Sequence, residues 1–271
     1  MSLQETREEL IDSLQGGLSV LMNSVPIRSV GGDLEEAAGW FQALGICNLL
    51  LFADTDRFYE NLIHSGHTRR YFLRKSREQA NTDDYQLAIS RWDSFIDVVA
   101  AGSFRLAREI VAASVAVWLP GGEYEDDYLY RLFLHQFIGP PGPQRDAQLH
   151  ATLDAWRTWL SGQPCTRLDC CVALLKGDSG AFDTAFVDLI AQRQAQVAKE
   201  AKMVLAADIA FEPRSRIFIE GLALLRLAQA LRFTLRPDYP LCPAIARAAA
   251  VKAPPIDIYP EIERERGEQV G

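Results

Sequence analysis

The chain has 271 residues, enough to bury a large core as one extended helical domain or as two halves. Hydrophobic residues make up 48% and charged residues 24%, the composition of a globular protein rather than a disordered one. A formal net charge of -8 and a pI near 5.1 argue against wholesale binding to nucleic acid or anionic lipid and suit a basic protein partner.

The opening MSLQETREELIDSL has acids where a secretory leader needs a basic and then an apolar run, so a cytoplasmic protein is expected. Leu10, Ile11, Leu14, Leu18 and Leu21 repeat at helical spacing and predict a first helix that stops near Asn23. Asp33 and Glu36, at capping-box spacing, open a second helix to about Phe52. Asp54-Thr55 opens a third, which ends at Ser65-Gly66. The piece His67–Ala80 concentrates Arg69, Arg70, Arg74, Lys75 and Arg77 and reads as a solvated helix face or linker. Asp83 and Gln86 again have capping spacing, ahead of an apolar run to Ala101. Gly102-Ser103 then turns the chain into Phe104–Leu119, closed by Pro120-Gly121-Gly122.

After the acidic loop Glu123–Asp127, an apolar helix runs from Tyr128 to Ile138. Gly139-Pro140-Pro141-Gly142-Pro143 cannot be helical and marks the strongest internal boundary. Leu149–Leu160, Thr166–Lys176 and Phe182–Val204 read as further helices. From Ile217 to Leu231 only Glu220, Arg226 and Gln229 interrupt apolar and glycine positions. A helix over Pro213–Phe233 that is apolar nearly all round must be buried. On it Arg226 and Gln229 stand about 60° apart and can share a polar strip, Glu220 needs its own exit or partner, and Gly221 permits close approach by a neighbouring helix. Its apolar runs are too short, and too interrupted by charge, for a membrane span.

The expected fold is all-α: a multi-helix bundle of antiparallel helical hairpins, weakly repeat-like because RWDSFIDVVAAG from Arg91 resembles RLDCCVALLKGD from Arg167. Residues 1–138 would form an N-terminal helical half, and residues 144–250 a C-terminal half packed on it around the 213–233 helix. Residues 251–271 read as a charged, poorly ordered tail.

Catalysis has no support in the motifs. Gly177-Asp178-Ser179-Gly180 looks like the nucleophile segment of chymotrypsin-type proteases, but that chemistry needs a histidine base and an oxyanion hole on a β-barrel. Between two helices, Asp178 or Ser179 serves instead as an N-cap. Glu60, His64 and His67 fall at i, i+4 and i+7, but Gly66 interrupts that face and no H-E-x-x-H or E-x-x-H motif accompanies it, so packing is the expected role and no metal or cofactor is assigned. Cys47, Cys165, Cys170, Cys171 and Cys242 are odd in number and lack a C-x-x-C pair, which favours reduced thiols. The stretch suited to a partner is Glu123, Tyr124, Glu125, Asp126, Asp127 and Tyr128, because aromatics anchor an interface while carboxylates accelerate encounter with a basic face.

The pattern LLKGDSGAFDTAFVDLIAQR, then EGLALLRLAQALRF, then YPLCP at Tyr239–Pro243, resembles the all-helical immunity proteins of bacterial polymorphic-toxin systems, specifically the immunity protein 49 type, over about Asp93 to Ile245. The resemblance implies a cytosolic protein that binds a cognate toxin, often one delivered by a specialised secretion system such as type VI, and blocks it without catalysis. It carries over no inhibitory residues, since the matching positions look like fold determinants. An acidic chain suits a basic, nuclease-type toxin as partner, with neither direct nucleic-acid nor membrane binding. The alternative is an all-helical adaptor or regulator, which an adjacent toxin gene would exclude.

Overall fold

The structure, a computed structural model, describes residues 2–19, 25–82, 84–203, 208–248, 254–265 and 267. Among these residues the chain forms twelve α-helices and no β-strand, the all-α architecture that the periodicity predicts. Leu3–Ser19 (α1) packs on Gly31–Phe52 (α2), which lies along Thr55–Glu78 (α3). Ser94–Ala100 (α4) and Phe104–Ala113 (α5) pack as a hairpin against α3. Glu125–Phe137 (α6) pairs with Pro143–Leu160 (α7) across the glycine-proline segment, and Thr166–Lys176 (α8) pairs with Ser179–Glu200 (α9). Phe211–Arg216 (α10) rests on α2, Ile219–Ala230 (α11) packs on α4, α8 and α9, and Tyr259–Glu265 (α12) reaches α3. Helices from both sides of the glycine-proline segment share one apolar cluster that includes Phe72, Phe95, Phe133, Trp156, Phe186 and Leu224.

The apolar centre read from Ile217–Leu231 is α11, with Ile219, Leu222, Leu224, Leu225 and Leu227 all buried. Pro213–Phe233 is not a single helix, however. Ile217 and Phe218 are extended (φ/ψ −127°/125° and −94°/89°), because the Phe218 amide donates to Leu241 O at 2.8 Å instead of along a helix. Glu220 has its partner in Arg167, which donates through Nε at 2.8 Å and Nη2 at 2.7 Å. Arg226 Nη1 donates to Gln229 Oε1 at 3.2 Å, forming the shared polar strip. The neighbour that Gly221 admits is Cys242, outside any α-helix, whose Sγ would lie 2.8 Å from an added Cβ.

The largest departure is α3, which runs unbroken through Gly66 to Glu78. Gly66 serves packing rather than termination: an added Cβ would collide with Val98 Cγ2 and lie 3.1 Å from Leu106 Cδ2, so the α4–α5 hairpin sits on bare backbone. The basic run beyond it is not a solvated face. Arg69 is buried and donates to Gln86 O at 2.6 Å, Leu87 O at 3.2 Å and Ala88 O at 3.0 Å. Arg69 gathers three successive carbonyls to one point, and the expected helix ahead of Ala101 shrinks to α4, preceded by a 3-10 turn at Tyr85–Leu87. Asp84 caps that turn, accepting Gln86 N at 2.9 Å; the expected Asp83 cap lies outside the described residues.

Arg70 pairs with Glu109 and, at 2.5 Å, with Asp257; Arg74 and Lys75 converge on the fully buried Glu263 at 2.5 and 2.8 Å. Part of the tail expected to be poorly ordered is thus the helix α12, with Tyr259 stacked on Tyr71 at 4.5 Å and donating to Thr68 Oγ1 at 2.6 Å. Helix α5 ends at Ala113 instead of Leu119, because Ser114 Oγ donates to Ile110 O at 2.8 Å and Arg77 takes Ala112 O and Ala113 O, both at 3.3 Å. Helix α6 starts at Glu125 rather than Tyr128, with its acids in the first turn where the helix dipole favours them. Asp178 caps α9 by accepting Ala181 N at 2.9 Å, which accounts for the protease-like tetrapeptide. The predicted ends at Asn23 and Val204 lie outside the described residues.

Candidate partner-binding surface

The early stop of α5 turns residues 114–124 into an irregular excursion that displays Val115, Val117, Trp118 and Tyr124. Glu123 fastens this excursion from within: Oε2 accepts Ser90 N at 3.0 Å and Ser90 Oγ at 2.7 Å, and Oε1 accepts Leu119 N at 3.3 Å. Tyr128 OH donates to Ala116 O at 3.1 Å, and Asp127 accepts Arg167 Nη1 at 3.1 Å. Burial raises the Asp127 carboxyl above its usual range, opposed by that arginine. Glu123, Asp127 and Tyr128 therefore hold the surface in place. Tyr124, 79% exposed, stands free with Glu125 and Asp126, which have no ion pair among the described residues. Exposed Tyr85 borders the patch at Gly122. Sequence reasoning missed the Val115, Val117 and Trp118 contribution because it placed them inside a longer helix.

Two adjoining cavities of about 480 and 590 Å³ form a second concave feature, meeting at Gln42, Asp93 and Arg214. The first is walled by α2, α4 and α10, with Glu35, Trp40, Ser65 and Trp92 among its lining. The second is walled by α8, α9 and the chain between α10 and α11, with Arg167, Gln192 and Phe218 among its lining. Asp97 in the first is 1% exposed; its Oδ1 accepts Gln42 Nε2 at 2.6 Å and its Oδ2 accepts Ser65 Oγ at 2.6 Å. Burial, aided by Asp93, pushes this carboxyl up to about 7 against those two hydrogen bonds. A lone acid inside the apolar run FIDVVA is the signal that could have found it.

Because α3 is continuous, His64 and His67 share a face, with ring centroids 6.1 Å apart and His64 Nε2 3.9 Å from Glu60. Burial lowers both pKa values, that of His67 to about 4, so both rings are neutral at pH 7. No group of three or more His, Cys, Asp or Glu among the described residues is arranged to hold a metal ion. All five cysteines are free, and burial raises the Cys47 thiol to about 11 and those of Cys170, Cys171 and Cys242 further still, which makes them poor nucleophiles. No helix among the described residues is long and apolar enough to cross a membrane.

The molecule is thus an all-α protein with an exposed apolar-acidic face and a two-chambered groove. The family model described as Immunity protein 49 matches residues 49–246, most of the chain, and the chain belongs to that family. No curated protein and no solved structure matches it. The match reaches further toward the N-terminus than the motif resemblance, taking in the end of α2 and all of α3. Within it the motif residues carry the fold. Tyr239 is buried edge-on to Phe186 at 5.1 Å and donates to Asp183 Oδ1 at 2.9 Å, while Cys242 is seated against Gly221.

Proposed function

We propose that this protein acts in the cytoplasm as the immunity partner of a cognate bacterial toxin, neutralising it by stoichiometric binding rather than by catalysis. Family membership is the observation that carries the reading. The surface supports it in kind: Tyr124, Trp118, Val115 and Val117 offer apolar area held by internal bonds, and Glu125 and Asp126 offer unpaired charge beside it. With a net charge of -8, such a face suits a basic toxin of the nuclease type. Silencing a lethal partner at nanomolar affinity requires about 12 kcal/mol of binding free energy.

The test is a variant carrying Tyr124→Ala, Glu125→Lys and Asp126→Lys, which spares the structural Glu123 and Asp127. Association with the toxin should slow, its salt dependence should weaken and protection in cells should fall, while the helical spectrum stays unchanged and melting drops only by the small cost of lysines in the first turn of α6. An unaltered on-rate and salt dependence would make this face a bystander.

A further inference from the structure

Arg214 stands at the junction of the two cavities and lines both. Its guanidinium lies over the bare backbone of Gly39, where an added Cβ would overlap Nη2. The other cations of the groove are matched: Arg91 with Glu35 at 3.2 Å, Arg167 with Glu220 at 2.7 Å, and Arg193 with Glu200 at 3.4 Å. Neighbouring carboxylates are also engaged, Asp97 by Gln42 and Ser65, and Asp208 by the Ala210 amide at 2.9 Å. Glu212, on the same short helix, pairs with Arg216. Arg214 alone among these cations has no ion pair or hydrogen bond to a described residue, acting on the Asp97 carboxyl only at longer range, and its Nε is shut away from solvent without an acceptor. The Nη groups are not shut away in this manner, and the paired donors of a guanidinium fit a carboxylate.

We propose that this groove receives a segment of the toxin that presents an Asp or Glu carboxylate to Arg214. The proposal rests on the toxin-binding reading above. A polyanion is disfavoured because Glu35, Glu36, Asp93, Asp97 and Asp208 line the same cavity. A peptide bearing one carboxylate meets the lone cation without crowding those acids. Its backbone amides find polar partners in Gln42, Gln192 and Gln196, and its apolar side chains find Trp40, Trp92 and Phe218. The groove also spans both halves of the molecule, so an occupant there would bridge α2 and α4 to α8 and α9.

The experiment is a calorimetric titration of the full chain with the toxin domain encoded beside its gene, carrying an inactivating substitution. Arg214→Glu should weaken binding at least about tenfold, and Arg214→Lys should recover part of the loss, since a point charge replaces the fork. Gly39→Ala keeps the charge but displaces the guanidinium and removes a mid-helix glycine. It should weaken binding while leaving melting unchanged or raised. In the wild type, the Arg214 Nε–H resonance should shift on complex formation. If Arg214→Glu and Gly39→Ala bind as the wild type does and that resonance stays in place, the groove proposal is overturned while toxin binding stands. If Arg214→Glu fails to fold, Gly39→Ala and the resonance decide. Failure of the wild-type chain to bind the toxin would instead overturn the immunity reading together with this one.

Discussion

Leu224 and Asp97 are each 1% exposed on facing helices, and their substitution probes opposite terms of the folding balance. Leu224 packs among Phe95, Val99, Leu134 and Ile138, so Leu224→Ala should cost about 2–5 kcal/mol in denaturant melts, and a change below about 0.5 kcal/mol would contradict its central placement. Asp97 is a carboxyl whose folded pKa of about 7 lies above the ordinary 3.8. Between those values the folded chain holds a proton that the unfolded chain has released, so stability falls as pH rises and the full penalty is present above about 7. The buried histidines slope the other way. His67 and His135 are lowered from 6.5 to about 4 and about 3, so the folded chain loses stability as pH drops below 6.5. Asp97→Asn should therefore raise the melting temperature above pH 7 and move the pH of maximum stability upward. Melting curves for wild type and variant that run parallel from pH 4 to 9 would show that Asp97 does not titrate as described.

At the scale of the element, α3 is the test case. Gly66→Ala gains helix propensity but drives a methyl into Val98, so a net loss of about 1–3 kcal/mol is expected, whereas an exposed helical glycine would gain from the same change. A stabilised Gly66→Ala would mean that the α4–α5 hairpin does not rest on α3. The bodies of α7, α8, α9 and α11 were legible in the sequence because their apolar periods are local, although Pro143, expected to lie outside any helix, opens α7, and the start of α11 is set by the distant Leu241 carbonyl. The rest of α3 was not, since its signals were non-local. Gly66 looks like a stop until Val98 is seen against it, and the arginines look solvated until Gln86–Ala88, Glu109, Asp257 and Glu263 come from elsewhere in the chain to meet them. The candidate surface divides in the same way. Sequence composition pointed to Glu123–Tyr128, yet contacts from Ser90, Ala116 and Arg167 turn half of that set to structural use. Arg214 read only as part of a helix start, because the cavities it joins are made by helices distant in sequence.

For the whole molecule, an acidic all-α chain of the Immunity protein 49 family presents an apolar-acidic face and a groove in which Arg214 has no ion pair to a described residue. If the partner is the basic toxin proposed above, association should slow as salt rises from about 50 to about 500 mM, with dissociation much less affected. Equal association rates across that range would argue for an interface without charge steering. The central claim, that one binding event silences one toxin without turnover, is tested most directly by titrating toxin activity with purified protein. Residual activity should fall linearly, end sharply at a fixed molar ratio and keep that end point however long the mixture stands. An end point that drifts to ever smaller amounts of protein with time would mean that each molecule disables many toxins, and would contradict the account.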